Sequence, residues 1–444
     1  MKNLSESAAE LLDYALKAGA ESASATAASS DGLDASARDG AIEEIGRTEG
    51  LDIGIRVIIG KKQACVSVSS GKSDVLRELA ERVVAMAQET PEDPYCGLPD
   101  AASLATELPD CDLFDPTETD ADALRDVALA ADEAARAVPG IEKIDGASAS
   151  WSRRSAALVM SNGFSAERQG SFWGTSCTAI AGEGLGMERD YAWTSARYKS
   201  ELRDAVDVGR EAGELTIARL NPRKAKTCSV PVLYDQRQAS SLLGSFLTAI
   251  NGASVARGSS YLKDKLGEAI FADGISIVDD PHRKRGLSSR PFDGEGMPTR
   301  RLELIKDGVL QTWILDTATG RQLELASTGS ASFSVGSIPR PSSSNATLAV
   351  GTRTRAEMIA DLDEGFLVTD MLGASINPTT GDYSRGASGF WIEKGEIAYP
   401  VTEATVAGNL IEIFANLEPA DDLPHDRSVA APSVLVTGLQ ISGE

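Results

Sequence analysis

Apolar residues recur at helical spacing from the start of the chain: Leu4, Ala8, Leu11, Leu12, Ala15 and Leu16 share one face. Short alternating strands are predicted through residue 41. Beyond them Leu51, Ile53, Ile55 and Val57 alternate with Asp52, Gly54 and Arg56, the pattern of a half-buried strand. Gly60-Lys61-Lys62 turns the chain, and residues 65–68 return as the second arm of a hairpin. Ser73 caps a second helix that carries Leu76, Leu79, Val83 and Ala87 on one face. Helix, antiparallel strands, helix is the order of an α+β unit, assigned to residues 1–89.

Residues 90–116 break the pattern. Pro91, Pro94, Pro99, Pro109 and Pro116 fall among many acids. Proline removes backbone donors and fixes φ, so this stretch reads as a linker running extended over the surface. A middle α+β unit spans residues 117–220. It opens with an acid-capped helix, 117–138, and continues as a meander with strands at 147–151, 156–161, 164–172 and 175–181. Asn162-Gly163 is a type I′ turn signal inside it. A helix over 204–220 closes the unit. The largest unit, 221–444, begins with a strand at 229–234. An amphipathic helix follows over 237–250, with Leu242, Leu243, Phe246, Leu247 and Ile250 facing inward. A hairpin is predicted over Asp307-Gly308, from 301–305 to 309–315, and a last strand at 433–441. The fold class is α+β: small N-terminal and middle units with antiparallel sheets, then a large β-rich C-terminal domain.

The chain has 444 residues and a formal charge of −23. A field of that sign repels phosphate backbones and anionic lipids, which argues against a nucleic-acid or membrane partner. The basic runs at 219–226 and 282–285 read as solvated loops. Cys65, Cys96, Cys111, Cys177 and Cys228 are odd in number and widely spaced, as expected for reduced thiols in a cytoplasmic protein. The N-terminal residues lack a signal-peptide apolar core, and no run approaches the ~18 apolar residues of a membrane span.

Candidate chemistry is thin. A hydrolytic zinc site usually needs three protein ligands, histidines above all. His282 and His425 lie far apart in sequence, outside any helical ligand pair, and read as loop residues. A Ser-His-Asp or Cys-His arrangement would need one of the same histidines. Ser384 is the most conspicuous serine, although a strand serine beside a glycine needs no catalytic role. Gly182-Glu183-Gly184-Leu185-Gly186 lacks the lysine of a phosphate cradle and reads as a loop. Of the close carboxylate pairs, Asp279-Asp280 and Asp293 with Glu295, the second sits in a stiff, glycine-flanked loop. It is the better candidate for holding a cation or exchanging protons.

The most distinctive stretch is 373–409, GASINPTTGDYSRGASGFWIEKGEIAYPVTEATVAGN. A strand-like run at 383–393 meets a Lys394-Gly395 turn, and a second strand returns over 397–401. This segment resembles the C-terminal signature of the TldD/PmbA (TldE) family, the "modulator of gyrase" proteins. The run 290–329, RPFDGEGMPTRRLELIKDGVLQTWILDTATGRQLELASTG, resembles the same family, as does the three-unit layout.

The resemblance implies a cytosolic zinc peptidase built from two related subunits, which trims small or unfolded peptides. One subunit, TldD, carries an H-E-x-x-x-H helix motif and a later cysteine that together hold zinc; the other, TldE or PmbA, lacks them. The matching helix here offers Gly244, Ser245 and Ala249, and the region 407–416 holds no cysteine. The expectation is therefore a metal-free, non-catalytic subunit with no cofactor of its own, the zinc residing in a TldD-like partner. No catalytic or metal-ligating residue is assigned. Ser384, Arg385, Gly386, Phe390 and Trp391 are expected to line part of a peptide chamber, because backbone pairing holds a peptide without regard to sequence. A different reading also stands: a homodimeric peptide-binding or adaptor protein with no enzymatic role.

Overall fold

The computed structural model describes residues 3–443; Met1, Lys2 and Glu444, which the sequence places in the first and third units, lie outside the described residues. Helix α1 (Leu4–Lys17) is closed by a capping box between Asn3 and Glu6. Strands β1 (Ser22–Arg38), β2 (Ala41–Ile59) and β3 (Lys62–Val68) follow, then α2 (Ser73–Glu89). The linker contains a short 3₁₀ turn, Ala101–Ser103, and is not wholly superficial, since Cys96 and Cys111 are buried. After α3 (Ala121–Arg136) come β4 (Ile141–Met160), β5 (Ser165–Ala181), β6 (Glu188–Ala196) and α4 (Ala205–Ala218).

These strands form one six-stranded antiparallel sheet, ordered β3-β2-β1-β4-β5-β6. The β1–β4 pairing, from Ser24 opposite Met160 to Ala37 opposite Ala147, makes the first and middle units continuous. Strands are longer than the sequence pattern suggested. The predicted breaks at 152–155 and 173–174 are absorbed into β4 and β5: the polar side chains of 152–155 occupy register positions without interrupting the ladder, and Trp173 is buried in the core. Helices α1 and α2 pack on Ala23, Ala25, Ala27, Ile53 and Ile55, and α3 and α4 pack further along the sheet on Ala35, Ala147 and Cys177. Small residues let the layers approach closely: a Cβ on Gly209 of α4 would lie 2.0 Å from the Ala131 carbonyl of α3.

The opposite face of the sheet meets the C-terminal domain. Leu158, Met160, Phe164 and Ala166 pack with Phe292, and Phe164 meets Phe292 edge-on at 5.3 Å. Asp293 and Glu295, expected as a candidate working pair, lie behind this contact. Asp293 is fully buried and accepts hydrogen bonds from the amides of Glu295, Met297 and Ala331, each at 2.9 Å. Glu295 faces Arg56 of β2 at 3.7 Å, with both side chains buried. The pair therefore closes a loop and joins two domains.

The C-terminal domain holds a five-stranded sheet and a nine-stranded sheet. The long strands of the second, Glu364–Ile376, Asp382–Glu393 and Glu396–Asn409, form a meander beside Val232–Tyr234. Of the predicted run 309–315 only Val309–Leu310 is strand, and the predicted final strand divides into Val434–Val436 and Gln440–Ser442. Helix α5 (Gln236–Ala249) begins at Asp235, whose side chain accepts from the Gln238 amide. Phe246 anchors α5 in the main core, with ring centroids 5.2 Å from Phe271 and 5.9 Å from Phe414. No helix among the described residues is long and apolar enough to cross a membrane.

Candidate functional site

Strand β6 is the outer strand of the six-stranded sheet and, among the described residues, pairs with β5 alone. Its sequence, ERDYAWTSA, buries Asp190, Ala192, Thr194 and Ala196, a face with too little apolar character to mark a strand in the sequence. The free edge looks across a cleft of about 850 Å³ toward the C-terminal domain. The Tyr191 carbonyl accepts from Arg237 of α5 at 3.3 Å, so its backbone points away from β5. The two-residue period of a strand turns the backbone groups of Trp193 and Ser195 the same way. Tyr191 and Trp193 stack at 5.5 Å, and Arg237 and Arg427 lie over their rings. Across the cleft stand Leu367, Phe390 and Ile397.

Buried ion pairs beside the cleft join β6 to the C-terminal domain. Asp190 bonds Arg237 at 2.8 Å and Arg219 at 3.3 Å. Arg219 also faces Glu188 and Asp370 and donates to the Ser388 hydroxyl at 2.8 Å. Burial raises the pKa of Glu188, opposed by Arg219. The expectation that the run 219–226 is a solvated loop therefore fails at Arg219, which is 8% exposed and joins the middle unit to the C-terminal sheet. An arginine in a polar run carries no sequence mark of burial, because its acids come from β6 and from residue 370. The second basic run lines the cleft through Arg283, Lys284 and Arg285. His425 lines the cleft, whereas half-buried His282 bonds Thr299 at 2.9 Å.

The expected chamber residues divide between two faces of one strand. Phe390 lines the cleft. Trp391 is 4% exposed in the main core, where it packs on Phe366. Ser384, Arg385 and Gly386 are half-buried farther along. Arg385 donates to the Gly373 carbonyl at 2.8 Å and to the Ser241 hydroxyl of α5 at 2.9 Å.

The outward face of α5 is made of small side chains: Ser241, Gly244, Ser245 and Thr248. Ser245 and Thr248 donate back to the carbonyls of Ser241 and Gly244 at 3.0 and 2.9 Å. A Cβ on Gly244 would meet nothing within 4 Å. The contact of Phe246 with Phe414 places the short helix Leu410–Ala415 beside α5.

Three family models match in succession: PmbA/TldA metallopeptidase domain 1 at residues 24–87, the central domain at 114–220 and the C-terminal domain at 227–443. The chain is 35% identical to "Metalloprotease PmbA homolog" of Haemophilus influenzae, over 97% of this chain and 94% of that protein. The chain belongs to the PmbA/TldD family. "Metalloprotease PmbA" of Escherichia coli O157:H7 is 34% identical over 93% of this chain and 90% of its own. A solved gyrase-modulator structure from Bacteroides thetaiotaomicron superposes with a TM-score of 0.92 at 26% identity, covering 99% of this chain and 98% of the other. The chain is a PmbA-type subunit of the PmbA/TldD metallopeptidases.

Metallopeptidase chemistry implies a metal ion, and the face of α5 does not fit one. Two of its hydroxyls are committed to backbone carbonyls, Gly244 has no side chain, and the Arg385 guanidinium sits at hydrogen-bond distance from Ser241. A permanent cation in that position opposes a divalent ion. Among the described residues no group of three or more His, Cys, Asp or Glu side chains is arranged to hold a metal.

Proposed function

We propose that this chain is the metal-free, non-catalytic subunit of a cytoplasmic heterodimeric metallopeptidase, and that it helps to hold unfolded peptide for a metal-bearing TldD-like partner. The Arg385–Ser241 contact carries the reading: the helix where the resemblance puts the partner's ligands here carries bonded hydroxyls, and a guanidinium from the neighbouring strand reaches its face. The free edge of β6 supplies the peptide-holding element. An extended peptide adds to it through main-chain hydrogen bonds, with Tyr191, Trp193 and Phe390 giving apolar contact on either side. Such pairing is indifferent to sequence, as trimming of unfolded peptides requires.

The test is co-purification with a candidate TldD-like subunit and a cleavage assay on each species with an unstructured fluorogenic peptide. Cleavage by the pair and none by this chain alone is expected. Chelator-sensitive cleavage by the lone chain would refute the proposal. Peptide binding by a homodimer that gains no activity with the partner would favour the adaptor reading.

A further inference from the structure

A second cavity, of about 770 Å³, lies between the sheet and the loops around residues 287–290, 332–335 and 342–343 of the C-terminal domain. Four arginines line it: Arg154 of β4, Arg168 of β5, Arg197 just after β6, and Arg290. None of the four has a carboxylate within salt-bridge distance among the described residues, in a chain with 66 acids and 43 bases. Asp52 is the one carboxylate among the lining side chains, and it accepts from the Ser69 hydroxyl.

Three of the arginines are held in place without being neutralised, and the fourth, Arg154, is exposed. Arg197 donates to the carbonyls of Ser171 and Leu287, and a Cβ on Gly170 would lie 3.1 Å from it. The Arg168 guanidinium lies over the Phe333 ring, 3.8 Å from its centroid. Arg290 is 8% exposed and donates to the Ser342 carbonyl at 2.6 Å, yet its buried Nε has no partner. Asp279 and Asp293 temper Arg290 electrostatically without lining the cavity. Burial and the other three arginines push the Arg168 pKa down to about 10, so it stays charged at neutral pH. Serine hydroxyls complete the wall; those of Ser289 and Ser342 donate to the carbonyls of Arg283 and Ser343, which leaves Ser288 and Ser332 to meet a ligand.

We propose that this cavity binds a small polyanion, a ligand that brings two or more phosphate or carboxylate charges to the arginine cluster. Guanidinium forks match both oxyanions in geometry, hydroxyls donate to the remaining oxygens, and the bound charge relieves the repulsion among the arginines. The cavity adjoins the peptide cleft, sharing Leu287 with it, but the four arginines do not line that cleft and the proposed site does not rest on the metal question.

Calorimetric titration of the full chain at fixed ionic strength tests it, with inorganic pyrophosphate in one arm and citrate in the other. Binding in either arm is expected, and the tighter arm identifies the phosphate or carboxylate source. Arg154→Gln/Arg168→Gln should weaken binding at least about tenfold. Its ligand-free melting temperature should hold or rise, since like charges have been removed. Arg168→Lys, which keeps charge but loses the planar fork, should fall between. No binding in either arm up to low-millimolar ligand overturns the proposal. So does unchanged affinity in the double variant, or a double variant that cannot fold, which would make the arginines structural.

Discussion

Replacing Arg56 with methionine should destabilise the protein in a way that depends on pH. Arg56 is 4% exposed and faces Glu295, 3% exposed, at 3.7 Å. It also donates to the Gln63 side chain, while Glu295 accepts from the Thr317 amide at 2.8 Å. Burial first, and then Asp293, push the Glu295 pKa from 4.5 up to about 7, with Thr317 and Arg56 opposing. A carboxyl that holds its proton more tightly when folded loses stability as pH rises from its unfolded pKa to its folded one, here from 4.5 to about 7, and levels off above.

Removing Arg56 removes an opposing charge, so the folded pKa of Glu295 climbs further and the decline continues past neutrality. At about pH 6 the carboxyl is largely protonated in both proteins, and the variant loses only packing and the Gln63 bond. By about pH 8 the variant should have lost up to about 1.4 kcal/mol more for each pH unit above neutrality. The full loss is bounded by the ~3–5 kcal/mol typical of breaking a buried pair on one side. Urea midpoints at the two pH values, converted with the measured slope, give the comparison. Arg56→Met/Glu295→Gln should abolish the pH-dependent part. An equal loss at both pH values, or a larger one in acid, would refute the reasoning.

Phe246→Ala should cost about 3–5 kcal/mol and lower the melting temperature, because it empties the contact between α5, Phe271 and Phe414; unchanged thermal denaturation would contradict the packing described. Trp193→Ala should weaken binding of an unstructured fluorescent peptide about tenfold at little cost in stability. Ser195→Pro, which removes a donor from the free edge, should do the same; unchanged peptide affinity in both would exclude β6 as the docking edge.

Much of the fold was readable where periodicity was strong. Helices α1 and α5 announce themselves through their apolar faces, and the turns at Asn162-Gly163 and Lys394-Gly395 through their glycines, although Asn162 is not at positive φ and the expected type I′ turn does not form there. Strand length was not readable. Ser152-Arg153-Arg154-Ser155 looks like a loop, yet it lies in register between β1 and β5. Strand β6 went unseen because its buried face is Asp190, Ala192, Thr194 and Ala196. Of the candidate site, Phe390 lies in the family-like segment and lines the cleft, and the face of α5 drew attention through what its helix lacks. The arginine cavity and the Asp190–Arg219–Arg237 node are assembled from residues far apart in sequence. Nothing local distinguishes Arg168 or Arg219 from a solvated arginine.

The central claim is that this subunit supplies no hydrolytic metal. Elemental analysis of the isolated chain, purified without chelator and compared with the same chain bound to a TldD-like subunit, tests it most directly. Stoichiometric zinc that appears only with the partner, together with cleavage, is the predicted result. Stoichiometric zinc bound tightly by the chain alone would contradict it.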